Sequence, residues 1–372
     1  MHNGRVVRHR ALASPALALA IAACCAPALV RAQQPDPQPV ASRPTFAAWL
    51  AQVRAEAIAG GLKASVVGEA LDSAEHVGVV LERDRTQPEF VLPLDRYLER
   101  RLDKATVRTA RDRLARHRAL LKRVSKRYGV PPEVITAVWG LESNFGRFAG
   151  VRPTISVLAT LGYESRRAEY FRLELFEALR ILDRGDIELA RLRGSWAGAL
   201  GQPQFMPSNY TQYAVDFDKD GRRDIWSSDA DVFASIANFL RQKGWVPGER
   251  WGREVEVSPA AAPGLRTSVA LRSQGCRAVR QLTDARSLAD WQKLGVRLPK
   301  GRPLPRAEVD ASLLEGGSRM FLVYRNYDAL LAYNCANSYA LSVALLSDRL
   351  AGAAAAKGKT GSKAKSKSHQ GR

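Results

Sequence analysis

Histidine, cysteine and methionine are scarce in this chain: five, four and three among 372 residues. The histidines are scattered, and no His or Cys cluster has the spacing of a zinc site, so the sequence gives no reason to expect a cofactor in catalysis. Cys24 and Cys25 fall in an N-terminal leader, which leaves Cys276 and Cys335 in the body. An oxidising compartment would let those two form one bridge, but they stand more than fifty residues apart, and the spacing leaves the geometry open. There is no internal repeat.

Acidic residues are also in deficit, 37 against 57 Lys and Arg, for a formal charge of +20. The leader to Ala32 holds four arginines and no acid, and the tail from Ala351 holds five lysines and one arginine, which leaves +10 on residues 33–350. A basic body calls for an anionic partner, either nucleic acid or a cell wall bearing acidic peptides. The N-terminus discriminates between them. Basic Met1–Arg10 precedes an uncharged Ala- and Leu-rich run, Ala11–Val30, which reads as a secretory leader and argues against nucleic acid. Ile21-Ala22-Ala23-Cys24 fits a lipoprotein box, with acylation at Cys24 attaching the protein to the outer membrane. Val30-Arg31-Ala32 and the Gln- and Pro-rich stretch after it fit cleavage after Ala32, the preferred reading. The expected location is the periplasm, as a soluble monomer or an outer-membrane lipoprotein.

With 46% hydrophobic residues the chain can fill a large core. Residues 1–32 read as signal peptide and 33–43 as a Pro/Gln-rich linker. Residues 44–128 carry apolar residues at helical spacing, with Leu94–Val124 alternating Arg and Asp with leucines. Residues 129–250 read as a helical core broken by a glycine-rich loop and an acidic loop. Within 251–325, Val255–Val257, Ser268–Leu271 and Met320–Tyr324 are β-like runs, so a small sheet is expected there. A closing helix is placed at 326–350, and the tail 351–372, with nothing to bury, is expected to be disordered.

One carboxylate stands out. In Ala137-Val-Trp-Gly-Leu-Glu142-Ser-Asn-Phe-Gly-Arg147, the residues three, four and seven before Glu142 are Trp139, Val138 and Ile135. The acid therefore shares a helix face with bulky apolar side chains. Pro131 and Pro132 preset the first turn, and Gly146 is the expected breaker. Desolvation in such a setting keeps a carboxylic acid protonated, and a neutral acid can donate a proton to a glycosidic leaving group. About fifty residues on, Gly194-Ser195-Trp-Ala-Gly198-Ala-Leu-Gly201-Gln-Pro-Gln204-Phe-Met206-Pro-Ser208 is dense enough in glycine for a backbone that approaches a polar ligand closely.

These two segments, with Asp216-Phe-Asp-Lys-Asp-Gly-Arg-Arg-Asp-Ile-Trp226, resemble the membrane-bound lytic murein transglycosylase B family over about Pro44–Leu350. The resemblance implies a mainly α, lysozyme-like catalytic core flanked by helices, with a small inserted β subdomain. It also implies non-hydrolytic cleavage of the MurNAc-GlcNAc bond of peptidoglycan to a 1,6-anhydro sugar. Glu142 would act first as acid and then as base, and the substrate's C6 hydroxyl would be the nucleophile. Carried onto this sequence, Ser195 and Gln204 would hydrogen-bond the sugar and Asn334 would face them from the opposite wall. Tyr333, Tyr339, Met206 and Phe205 would line the groove. The rivals are a hydrolytic muramidase on the same fold and a non-catalytic wall-binding protein.

Asp216, Asp218 and Asp220, with Gly221, match the first half of a calcium-binding EF-hand loop. The second half departs: Arg223 stands where an aliphatic residue belongs and Ser227 where the closing glutamate belongs. An enlarged loop would return Asp229 or Asp231 to a structural Ca2+, with the Arg222 carbonyl as a further ligand. The other reading is that Arg222 and Arg223 balance the carboxylates without a metal.

Overall fold

Residues 43–86, 92–258 and 261–367 are described by the structure, a computed structural model. The expected leader and Cys24 lie outside the described residues, as does the linker up to residue 42. Six helices lead: α1 (Phe46–Ala59), α2 (Ala64–Asp72), α3 (Gly78–Thr86), α4 (Leu94–Arg101), α5 (Lys104–Arg116) and α6 (Arg118–Tyr128). The Leu94–Val124 run is thus three helices. Its first break falls at Asp103, whose carboxylate accepts the Thr106 N–H at 2.6 Å and starts a new helix, and its second at His117.

The core comprises α7 (Pro132–Ser143), β1 (Arg152–Pro153), α8 (Thr154–Glu164), α9 (Ala168–Asp183), β2 (Arg193–Gly194), α10 (Pro207–Tyr213) and α11 (Asp229–Gln242). Helix α7 is buried along Val134–Leu141 and at Ser143, and it packs against α5, α6, α11 and the last helix. A helix apolar on every side belongs in a core, and the other elements must wrap it.

A second, smaller core forms around β3 (Gly252–Val257), α12 (Ala262–Ser268), β4 (Arg286–Ser287), α13 (Leu288–Lys293), β5 (Val296–Arg297), β6 (Asp310–Gly316) and β7 (Arg319–Val323). The antiparallel sheet has order β4-β6-β7-β3-β5, with Val255 opposite Met320 and Leu313 opposite Leu322. Fully buried Trp291 anchors it, donating its indole N–H to the Ala311 carbonyl at 2.7 Å. The expected strand Ser268–Leu271 is not one. Ser268 ends α12, and only Leu271 bridges, to Thr283, because Ala262-Pro-Gly begins a helical turn with proline near its start. Strand β6 escaped the sequence reading because Ala311–Leu314 is buried on both faces and shows no alternation.

The chain closes with α14 (Arg325–Tyr333) and α15 (Asn337–Lys367). The closing region is therefore two helices broken at Asn334–Ala336. The second continues past Leu350 as far as Lys367, into the tail expected to be disordered, a correction in keeping with alanine and lysine being strong helix formers.

Cys276 and Cys335 form a disulfide, with Cα atoms 6.4 Å apart. It fastens the sheet region to the α14–α15 break, and Asn337 adds bonds to the Ala278 carbonyl (3.1 Å) and Gln281 (2.9 Å). The bridge closes a separation of 59 residues, which loop-closure entropy values at about 4 kcal/mol. Cys276→Ser should therefore lower the thermal midpoint measurably. A reductant should lower that of the parent and leave the variant unmoved; a parent insensitive to reductant would mean the bridge is not formed in solution.

Candidate active site

Glu142 is half-buried one residue before the end of α7. The helix stops at Ser143, three residues earlier than the expected breaker Gly146. Asn144 takes the left-handed conformation (φ 49°) and Phe145 follows it (φ 59°). Two consecutive non-glycine residues in that region cost about 1–3 kcal/mol each, strain of the kind that collects at functional sites. The surroundings hold them there. The Ser143 hydroxyl donates to the Trp139 carbonyl (3.0 Å) and accepts the Gly146 N–H (3.0 Å), and Arg101 donates to the Leu141 carbonyl (2.8 Å). Phe145 folds back onto Gly140, where a Cβ would come within 2.4 Å of its ring.

Trp139, one turn before Glu142, fixes the helix's inner face. Its ring meets Phe145, Phe233 and His117 edge-on at 5.6, 4.9 and 5.5 Å, and its indole donates to Gln202 Oε1 at 2.6 Å. Gln202 belongs to the glycine-rich segment, which doubles back through pairings of Leu200 with Gly194 and Phe205. Gly201 (φ 61°) makes a close pass against backbone, with space for a Cβ filled by the Ile225 carbonyl at 2.6 Å.

Ser195 and Gln204 are both partly exposed on this segment. Ser195 Oγ accepts the Ala197 and Ala199 N–H groups (3.3 and 3.1 Å). Gln204 holds a left-handed backbone (φ 53°), and its amide donates to the Gly201 carbonyl at 2.8 Å. Met206 is half-buried against the core. Phe205 does not line a groove: it is 1% exposed, with Phe239 and Tyr333 at 5.6 and 5.8 Å. Its side chain alternates away from those of Gln204 and Met206.

Two tyrosines face Glu142 from the closing helices. The Tyr333 hydroxyl donates to the Pro203 carbonyl at 2.8 Å, joining the end of α14 to the glycine-rich segment. Tyr339 stacks beside it at 6.3 Å, and its buried hydroxyl interacts with the Glu142 side chain. Burial first, and then the Glu142 charge, push both hydroxyls well above the ordinary pKa of 10. Among the described residues Glu142 is the carboxylate that acts on both, with Arg101 the cation near Tyr339. Asn334 is exposed at the break after Tyr333, beside the disulfide.

The acidic loop brings together Asp216, Asp218 and Asp231, with carboxylate oxygens within 4.8 Å of one another. That oxygen set suits a hard cation such as Ca2+. Asp231 is fully buried, accepting the Phe217 and Asp224 N–H groups at 2.7 and 2.8 Å; burial raises its pKa to about 6. Asp220 instead accepts the Arg222 N–H, and Asp229 pairs with His117 at 3.4 Å, so neither joins the cluster. Position 229 opens α11 on the side of α6, whereas 231 turns back toward the loop. Arg223 does not balance the cluster either, for it pairs with Asp186 at 2.7 Å.

Sequence reasoning missed Arg101, Gln202 and Glu174. Glu174 offered a signal, an acid between Phe171 and Ala178 on the apolar face of α9. It is 3% exposed and accepts the Ser208 N–H and hydroxyl at 2.8 and 2.7 Å, fixing the first turn of α10 directly after Met206.

A carboxylate at the end of a buried helix, on a mainly helical core, defines a lysozyme-like site for glycosidic chemistry. The chain belongs to the family described as the transglycosylase SLT domain, which matches residues 45–348. Membrane-bound lytic murein transglycosylase B of Escherichia coli (strain K12) is 42% identical over 146 residues. That match covers 39% of each chain, so it spans well under two thirds of that relative. SltB3 from Pseudomonas aeruginosa, solved in complex with NAG-NAM-pentapeptide, is 41% identical with a TM-score of 0.75, covering 82% of this chain and 80% of its own. The Escherichia coli lytic transglycosylase SLT35, solved in complex with calcium, is 29% identical with a TM-score of 0.68, covering 82% and 93%.

Burial raises the Glu174 pKa above 4.5, so the folded protein favours its protonated form. Its contribution to stability is complete below 4.5 and is lost as pH rises through the raised value. Glu174→Gln does not titrate. Its unfolding free energy relative to the parent should therefore climb across that window in denaturant titrations at stepped pH, and a constant difference would contradict the assignment.

Proposed function

We propose that this protein is a peptidoglycan lytic transglycosylase in which Glu142 alone serves as acid and then base. The observation that carries the reading is the placement of Glu142 at the end of buried helix α7, facing the Tyr333 and Tyr339 hydroxyls, as the carboxylate among the described residues that acts on both. Glu142 gives its proton to the glycosidic oxygen as the C1–O bond breaks. The C6 hydroxyl of the same MurNAc then attacks C1 and returns its proton to Glu142, closing a 1,6-anhydro ring with no water consumed. Ser195, Gln204 and Asn334 would hold the sugar by hydrogen bonds, and Tyr333, Tyr339 and Met206 would form its walls. The relative solved with NAG-NAM-pentapeptide supports the choice of substrate. The basic body, at +10 over residues 33–350, suits an acidic wall, and the leader suits a periplasmic location.

Asp216, Asp218 and Asp231 would hold a structural Ca2+, which supplies positive charge among crowded carboxylates and takes no part in the reaction. The relative solved with calcium supports this reading.

Peptidoglycan digested with the mature protein should release muropeptides one water lighter than hydrolytic products, and Glu142→Gln should cut release by about 10²–10⁴-fold. Reducing-end products would make the protein a muramidase, and wall binding without release would make it a binding module. For the cation, Ca2+ at a hundred times its Kd should add about 2.7 kcal/mol to stability. Asp231→Asn should abolish that gain in thermal unfolding, and an equal gain in parent and variant would remove Asp231 from the site.

A further inference from the structure

We propose that Gln202 is a positioning residue that ties the acidic loop to the helix carrying Glu142. The kinetic part of its test rests on the transglycosylase reading; the geometry does not. Gln202 is 6% exposed, and both ends of its amide are used. Oε1 accepts the Trp139 indole N–H at 2.6 Å, and Nε2 donates to the Trp226 carbonyl at 2.8 Å. Its backbone N–H donates to the Ile225 carbonyl at 2.9 Å.

The two ends of this amide belong to different parts of the fold. Trp139 lies one helical turn before Glu142 on α7, and the turn just after Glu142 also rests on Gln202, since a Cβ on Gly146 would come within 2.5 Å of Oε1. Ile225 and Trp226 close the acidic loop. Their course is set by Asp224, whose Oδ1 accepts the Trp226 and Ser227 N–H groups at 2.9 Å each, and Asp224 in turn donates its N–H to Asp231 at 2.8 Å. A continuous path of buried or half-buried hydrogen bonds therefore runs Asp231, Asp224, Trp226, Gln202, Trp139. No member but Gln202 touches both the loop and α7 through its side chain. An apolar side chain of the same size would leave the Trp139 N–H and the Trp226 carbonyl without their partner inside the protein, and α7 would be free to shift by the small distances that matter at a reacting centre.

Spatial continuity alone does not establish coupling, so the test is a double-mutant cycle of Gln202→Met with Asp224→Ala. One readout is the Trp139 indole N–H resonance in 15N-tryptophan-labelled protein, assigned with Trp139→Phe; the other is kcat and KM on peptidoglycan. Gln202→Met should shift the resonance upfield and lower kcat about 10- to 100-fold, with KM within about 2-fold. Asp224→Ala should shift the same resonance when Gln202 is present and leave it still when Gln202→Met is present. If Gln202→Met fails to fold, Gln202→Glu serves in its place: it keeps an acceptor for Trp139 and surrenders the amide donor to Trp226, so the resonance should stay near the parent's and stop responding to Asp224→Ala. Additive shifts, or a loss confined to KM, would overturn the proposal. An unmodified protein that releases no muropeptides would defeat the transglycosylase reading while the resonance still decided the coupling.

Discussion

Helix α7 is buried along almost its whole length, yet it leaves the Glu142 side chain half-exposed near its end, and much of the architecture answers to that requirement. A buried helix end leaves backbone carbonyls that water cannot reach. Here the Leu141 carbonyl is taken by Arg101 from α4, and the Trp139 carbonyl by Ser143. The chain then leaves the helix through two left-handed residues, so that Phe145 can seal the space over Gly140. Glu142 thus emerges where the helix stops, on a backbone with little freedom to move. The leading helices are part of this arrangement, since α4 supplies Arg101 and α5 and α6 meet at His117, which packs against Trp139.

The opposite wall is held by different means. Tyr333 ends α14, Asn334 lies in the exposed break, and Tyr339 is on the first turn of α15, buried in the main core. Covalent and polar ties supplement burial at the break: the Cys276–Cys335 bridge, the Asn337 amide bonds, and the Tyr333 bond to Pro203. The last of these links the tyrosine wall to the glycine-rich segment, so the two sides of the site are joined to each other as well as to their own domains. The β subdomain bears on the site through the disulfide and also through the β6–β7 hairpin, where the Ser318 N–H donates to Asp95 on α4 at 2.9 Å.

Much of this was legible in the sequence because the relevant signals are local. Glu142 could be placed on an apolar helix face by spacing alone, and the three motifs carried the family. The acidic loop announced Asp216 and Asp218, but spacing also nominated Asp220, which turns to the Arg222 N–H instead. What remained hidden depended on contacts distant in sequence. The choice of Asp231 over Asp229 turns on which side of α11 each residue meets, and spacing cannot report that because His117 lies more than a hundred residues away. Gln202 was quoted inside a motif and passed over, since its importance resides in Trp139 and Trp226, 63 and 24 positions distant. Strand β6 was invisible for the opposite reason: burial on both faces erases the alternation by which a strand is recognised. The tail was misread because the absence of a core was taken as the absence of a helix, although backbone propensity and tertiary burial are separate terms.

A single carboxylate that acts twice places a stricter demand on rigidity than a pair that divides the labour. In an inverting two-carboxylate enzyme each group performs one proton transfer and can be tuned to it. In the transglycosylase reading the same Glu142 oxygens must reach the leaving oxygen first and the C6 hydroxyl afterwards, while the sugar rearranges between the two events. The substrate moves, so the protein cannot. That asymmetry accounts for where this fold commits its order: strained but fully supported backbone after the acid, buried amides and hydroxyls behind it, and a tyrosine wall fastened by a disulfide. It also accounts for the Tyr339 hydroxyl, buried against the Glu142 side chain. A buried hydroxyl set against the carboxylate restrains its orientation, so the group that exchanges a proton in this reading is held by a side chain as well as by its backbone.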